Sequence, residues 1–211
     1  AITMHLILCR HGDTFRPGER VVWVGARSDL PLVATGARQA RDIGSALKAN
    51  HVVLSRIYAG PLSRTKTTAD LIASELQPLA PPITIADELT EIDYGAWEGK
   101  TNEEIRASGG EEALAKWELE AVWPPGFNWA PGEDVVLRNL SALLERATTD
   151  NGDDSVVALI SSNGLFRLLA KSLALAPASL KMATGAMSLL EARPNGLKVL
   201  SWNQKPNEFR L

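Results

Sequence analysis

Apolar and polar positions along this chain switch repeatedly between two periods. Residues 4–9 form a short apolar run closed by Gly12, which predicts a buried strand. Ala37, Ala40, Ile43 and Leu47 recur at helical spacing and predict a helix over 35–49. Residues 52–59 predict a second strand, stopped by Gly60-Pro61. A helix follows from about Leu62 to Leu76 and ends before Pro78, because the residue ahead of a proline avoids the helical region. Ile83-Thr84-Ile85 reads as a short strand between proline clusters. Glu133 to Thr148 predicts a helix with acids in its first turn, where the dipole favours them. Val156 to Ser161 is another apolar strand, and Gly164 to Leu175 a helix stopped at Pro177. Two closing strands, near Met187–Ala192 and Leu197–Trp202, are joined by Pro194-Asn195-Gly196, whose Asn-Gly step suits a tight hairpin.

Strand, helix, strand, helix is the order of an α/β fold. The expectation is a three-layer sandwich with a mostly parallel central sheet and helices on both faces, built as one domain over 1–211. One segment stands apart. Residues 107–132 carry Trp117, Trp123 and Trp129 together with Pro124-Pro125-Gly126 and Pro131-Gly132, and a helix of about 10 residues starts near Glu111. Long connections of this kind serve as lids over a site. The alternative is that the tryptophans anchor an insertion to the body, since large aromatics bury much area.

The 211 residues hold 22 Lys plus Arg and 25 Asp plus Glu, a net charge of −3. A general nucleic-acid binder would carry a basic excess, so the balance argues against one, while leaving room for a small anion in a local basic pocket. The single cysteine, Cys9, allows no intrachain disulfide and no zinc site of paired cysteines. At the end of an apolar strand it reads as a buried, inert thiol. No apolar run approaches the roughly 20 residues that cross a bilayer. No basic stretch followed by an apolar signal region opens the chain, so the cytoplasm is the expected location, with no membrane partner.

The chemistry concentrates just past strand ends. Arg10-His11-Gly12-Asp13-Thr14 follows the first strand directly, at the sheet edge where ligands of such folds bind. A histidine there is a candidate nucleophile or base beside an arginine that clamps an anion. The second strand runs into a helix whose first turn holds Arg64. A cation at that place opposes the helix dipole, and makes sense if it faces an anionic ligand. Asp13 and Asp29 suit turn and capping roles.

These stretches resemble the histidine phosphatase superfamily, which includes the phosphoglycerate mutases. Leu8 to Thr14 is similar to its strand followed by Arg-His-Gly, one variable residue and Thr. Asp29-Leu30-Pro31-Leu32 with Gly36 and Gln39-Ala40 resembles a second segment, and Gly60 to Ala69, with Arg64, a third. Leu89 to Gly99, with Glu91 and Trp97, resembles a fourth, and Pro131 to Asp134 stands where the family often has Pro-Gly-Glu-Ser. The likeness runs from about Leu6 to Asn203. It implies a phosphohistidine mechanism. His11 would attack the phosphoryl group through a neutral ring nitrogen, Arg10 and Arg64 would bind its oxygens, and Glu91 would protonate the leaving oxygen and later activate water. Asp87, Glu88 and Asp93 compete with Glu91 for that role. No metal and no other cofactor is implied.

The pattern breaks at one place. The family's second histidine stands five residues before an arginine on the helix after a late strand. Here the arginine is Arg167, five residues back is Ser162, and Asn163 follows it. His5 lies roughly 20 Å from His11 along the strand at about 3.3 Å per residue, and His51 opens the second strand at its far end. Ser162 and Asn163 would give only neutral hydrogen bonds, and Arg20 is a candidate to restore charge. Thr14 is a further candidate phosphate contact. The leading expectation is a phosphatase acting on a small phosphorylated metabolite. The alternatives are a non-catalytic phosphate-binding or interaction protein on the same fold, and a mutase-type phosphotransferase. The assembly stays open, a homodimer being one option.

Overall fold

The computed structural model describes residues 3–211. Its chain order is β1 (Met4–Arg10), α1 (Ala34–Ala49), β2 (Arg56–Ala59), α2 (Ser63–Glu75), β3 (Ile83–Ile85), α3 (Asn102–Ile105), α4 (Glu111–Glu120), α5 (Glu133–Asn151), β4 (Val156–Ser161), α6 (Asn163–Ser172), β5 (Met187–Arg193) and β6 (Gly196–Gln204). The strands form one six-stranded sheet in the order β3-β2-β4-β1-β5-β6. β3, β2, β4 and β1 run parallel, and β5 and β6 complete the sheet antiparallel.

The period of two explains how the sheet buries both faces. Leu6 and Leu8 of β1, Tyr58 of β2, and Val157 and Leu159 of β4 point to one side, where Leu140 and Leu143 of α5 and Phe166 of α6 cover them. Ile7 and Cys9 of β1, Ile57 and Ala59 of β2, and Ala158 and Ile160 of β4 point to the other, against Ile43 and Leu47 of α1 and Ile72 of α2. The result is an α/β fold with helices on both sides of a mixed sheet. Burial pushes the Cys9 thiol up to about 12, so it stays an unreactive thiol in the core.

Several boundaries differ from the sequence pattern, three of them for a visible reason. β2 begins at Arg56 rather than 52, because Val52 and Leu54 are buried in the turn after α1, where the Val52 N–H bonds the Leu47 carbonyl. An apolar run reports burial, and here only its second half is paired. α6 ends at Ser172, and Leu175 closes it with an N–H bond back to the Ala170 carbonyl. The closing hairpin turns on Pro194 and Asn195, while Gly196 (φ 129°) already pairs with Arg193.

The segment 107–132 is fastened to the body by its aromatic residues. Trp129 is met edge-on by Trp117 at 4.9 Å, by Trp97 at 5.1 Å and by Tyr94 at 4.8 Å between ring centroids. Trp123 packs on it at 5.4 Å. Edge-to-face contacts at these spacings add to the area the rings bury. Among the described residues no helix is long and apolar enough to cross a membrane.

Candidate active site

The parallel strands carry their C-terminal ends to one edge. There Arg10 pairs with Ser161 across β1 and β4, and the His11 N–H bonds the Ser161 carbonyl at 3.1 Å. A cleft of about 1120 Å³ opens above this edge, lined by Arg10, His11, Arg64, Glu91, Tyr94, Asn163 and Arg167 among others.

One wall is cationic. His11 is only 6% exposed, and its Nδ1 lies 2.8 Å from the Gly12 carbonyl. A carbonyl only accepts, so Nδ1 carries the hydrogen and Nε2 keeps its lone pair. Burial, then the positive charges of Arg10 and Arg64, hold the imidazole well below its usual pKa, against a smaller opposite pull from the Gly12 bond. Arg10 donates from Nη1 to the Met182 carbonyl at 2.7 Å, and its buried Nε has no partner. Arg64, 1% exposed, donates to the Ser28 carbonyl at 2.6 Å and to the Gly25 carbonyl at 3.1 Å. Neither guanidinium meets a carboxylate within ion-pair distance among the described residues, so both charges stay available to an anion.

The backbone around this wall is pinned from several sides. Asp29 accepts the Ser63 N–H at 2.7 Å and so caps α2. Asp13 accepts from the Thr184 hydroxyl at 2.5 Å and from Gln39 Nε2 at 3.2 Å. Gln39 in turn accepts the Asp13 N–H at 2.8 Å. Both aspartates hold loops in place.

A second wall is built around Glu91. Its Oε1 accepts the N–H groups of Ile92 at 2.9 Å and Leu165 at 3.1 Å. Its Oε2 accepts the Tyr94 hydroxyl at 2.8 Å and the Gly164 N–H at 3.1 Å. The carboxylate thus sits on the N-terminus of α6, where free N–H groups and the dipole favour an anion. Gly164 is what permits this approach. A Cβ there would come within 2.2 Å of the Tyr94 hydroxyl and 2.7 Å of Glu91 Oε1. The competitors of Glu91 lie elsewhere: Glu88 pairs with Arg146 at 2.8 Å and Asp93 with Arg27 at 3.0 Å. Asp87 sits in the helical turn before Glu91, outside the cleft lining.

Several expected contacts are placed differently. Ser162 is 2% exposed and does not line the cleft; it faces a small void behind it, lined also by Arg64, Glu91, Pro61 and Thr65. One residue later the chain enters α6, so Asn163 takes the cleft-facing place. Its Oδ1 accepts the Met182 N–H at 3.0 Å, and its amide nitrogen is left without a protein partner among the described residues. Thr14 lies outside the lining, where Phe15 forms the wall. Arg20 reaches the cleft at its rim, exposed and ion-paired with Glu104. His5 pairs with Val156 at the other end of β1, and His51 sits in the turn after α1. Of the three histidines, only His11 lines the cleft.

Two residues the sequence did not single out as site residues belong to it. Arg167 lies one helical turn beyond Asn163 on the same face of α6. It donates to the Glu118 carbonyl at 2.7 Å, stands 5.7 Å from the Trp117 ring, and leaves its buried Nε unpartnered. Tyr94 belongs to an aromatic run that reads as core, and its hydroxyl emerges beside Glu91. Its phenol is held well above its usual pKa by burial and by the Glu91 charge.

The profile of the histidine phosphatase superfamily (branch 1) matches residues 6–205. The chain belongs to that superfamily. Its curated relatives include a 2,3-bisphosphoglycerate-dependent phosphoglycerate mutase of Nitrobacter winogradskyi, 32% identical over 57% of this chain and 57% of that protein. A mutase of the same description from a Methylobacterium strain is 36% identical over the same shares. The chain thus spans a little over half the length of the curated relatives it matches. Among solved structures, mycobacterial hydrolase 1 superposes with a TM-score of 0.79 at 25% identity, over 96% of this chain and 99% of that one. A mycobacterial glucosyl-3-phosphoglycerate phosphatase shares the fold, with a TM-score of 0.76 at 24% identity, over 95% and 99%. As a member of the superfamily, the chain has phosphatases and mutases as its neighbours, and its cleft is lined by a buried histidine, a half-buried Arg10 and a buried Arg64.

Proposed function

We propose that this chain hydrolyses small phosphomonoesters through a phosphoryl group carried on His11 Nε2. One observation carries the reading: a neutral His11, its Nδ1–H tied to Gly12, turns a lone pair toward a cleft flanked by Arg10 and Arg64. A nucleophile must be unprotonated to attack, and burial beside two cations keeps it so. The same two cations bind the oxygens of the phosphoryl group, where negative charge persists through the transfer. In the first half-reaction Nε2 forms the N–P bond and the ester P–O bond breaks, with a proton from Glu91 going to the leaving oxygen. In the second, water attacks phosphorus, its proton returns to Glu91, and the N–P electron pair returns to Nε2. Positive charge beyond Arg10 and Arg64 comes from Arg167 on α6, and Asn163 adds a neutral donor.

The curated mutase relatives favour a second reading, transfer to an acceptor other than water. The test is p-nitrophenyl phosphate hydrolysis from about pH 5 to pH 8, with His11→Ala beside the wild type. The reading predicts turnover that His11→Ala lowers about 10⁴-fold or more, as loss of a nucleophile does elsewhere. Released phosphate that falls as an added hydroxy-acid acceptor becomes phosphorylated would favour the mutase reading. Tight phosphate binding with no turnover of any ester would leave a binding protein.

A further inference from the structure

Resting on that reading, we propose that the Tyr94 hydroxyl is the proton relay between Glu91 and the leaving oxygen, the only route by which a proton enters or leaves this carboxylate. The argument is a count of hydrogen bonds. A carboxylate offers about four lone-pair sites. Four donors occupy them here, at 2.9 and 3.1 Å on Oε1 and at 2.8 and 3.1 Å on Oε2. Three are backbone N–H groups of Ile92, Gly164 and Leu165, which can only donate. A proton on Glu91 opposite any of them would set two hydrogens against each other. The fourth is a hydroxyl, which accepts as well as donates and turns about one bond. Protonated Glu91 therefore has one compatible arrangement, with Oε2–H donating to Tyr94 Oη and the phenol hydrogen turned away. Tyr94 lines the cleft, so that hydrogen is turned toward the substrate.

The relay balances. As the ester P–O bond breaks, the leaving oxygen takes the phenol hydrogen and Tyr94 Oη takes the Glu91 hydrogen. Tyr94 ends as a neutral phenol and Glu91 as a carboxylate bonded by all four donors. In the second half-reaction the attacking water gives its proton to Oη while the phenol hydrogen passes back to Oε2. Tyr94 is never left as a phenolate, in keeping with a phenol held well above its usual pKa.

Tyr94→Phe tests this, because it keeps the ring in its aromatic cluster and removes only the oxygen. The substrates are p-nitrophenyl phosphate, whose leaving group departs without a proton, and n-butyl phosphate, whose alkoxide needs one. The relay predicts that Tyr94→Phe lowers n-butyl phosphate turnover about 100-fold, the scale of general acid catalysis. Because the second half-reaction uses the relay with either ester, the first is read alone, as the pre-steady-state burst of released alcohol: Tyr94→Phe slows the p-nitrophenol burst far less than the butanol burst, with an unchanged unfolding midpoint, and Glu91→Gln shows the same split. If Tyr94→Phe keeps or raises n-butyl phosphate turnover, Glu91 acts directly and the relay is overturned. Equal slowing of the two bursts, whether or not the midpoint falls, makes Tyr94 a packing or positioning residue and overturns it too. A wild type that turns over the nitrophenyl ester but not the butyl ester overturns the relay alone. A wild type that turns over neither removes the phosphatase reading and the relay with it.

Discussion

The two walls of the cleft handle buried charge in opposite ways. On the His11 side, half-buried Arg10 and buried Arg64 satisfy part of each guanidinium with carbonyl oxygens of Gly25, Ser28 and Met182. On the Glu91 side, one negative charge is surrounded by neutral donors, three backbone N–H groups and a phenol. Neither wall neutralises the other through an ion pair. Backbone dipoles stabilise each charge where it stands, and leave the cationic wall attractive to an anion. A direct Arg–Glu pair would have stabilised both groups and closed the site to substrate. The rim does the reverse: exposed Arg20 is paired with Glu104, and its charge is spent locally.

The contrast can be broken from either side. The largest effect falls on the cationic wall. Arg64→Gln keeps a donor for the Gly25 or Ser28 carbonyl and removes the charge. It is expected to lower kcat/KM for p-nitrophenyl phosphate by about 10²–10³-fold, the cost of losing a preorganised donor to the transition state. Steady-state kinetics beside an unfolding curve check this, and a loss under tenfold would mean that Arg64 is structural.

Gly164→Ala attacks the other wall through sterics alone. Its methyl group would displace both the Tyr94 hydroxyl and Glu91. Overpacking of this kind costs about 1–3 kcal/mol of stability. The loss should be larger for an alkyl ester than for the nitrophenyl ester, because it disturbs the acid and not the nucleophile.

The smallest effect is on stability with pH. The folded state holds His11 well below its usual pKa, so it binds fewer protons than the unfolded chain does below about pH 6.5. Its contribution therefore falls as pH drops through that value, by about 1.4 kcal/mol per pH unit, until the folded imidazole itself protonates. Urea unfolding should show the wild type losing more stability than His11→Asn between pH 7 and pH 5. Equal slopes would mean that His11 titrates normally in the fold.

Much of this was legible in the sequence, and the limits are physical. Apolar periodicity found every strand and long helix, because burial on a sheet or helix face writes a period into the chain. Arg10, His11 and Arg64 were legible because a polar residue just past a buried strand has few places to go but the sheet edge. Ser162 and Asn163 were both legible as candidates, but the turn into α6, which puts Asn163 in the cleft lining and Ser162 behind it, was not. Arg20 looked free because its partner, Glu104, is distant in sequence. Tyr94 and Arg167 were hidden for another reason. A tyrosine among tryptophans and an arginine within an apolar helix both read as packing until the fold shows which way their polar ends point.

The central claim is that His11 attacks through Nε2, and trapping the intermediate tests it most directly. Wild-type protein quenched during p-nitrophenyl phosphate turnover would be digested and its acid-labile phosphate located by mass spectrometry, with ³¹P NMR distinguishing the two ring nitrogens. The account predicts phosphate on His11 at Nε2, because Nδ1 carries the hydrogen bonded to Gly12. Phosphate at Nδ1, or on another residue, or none while turnover proceeds, would contradict it.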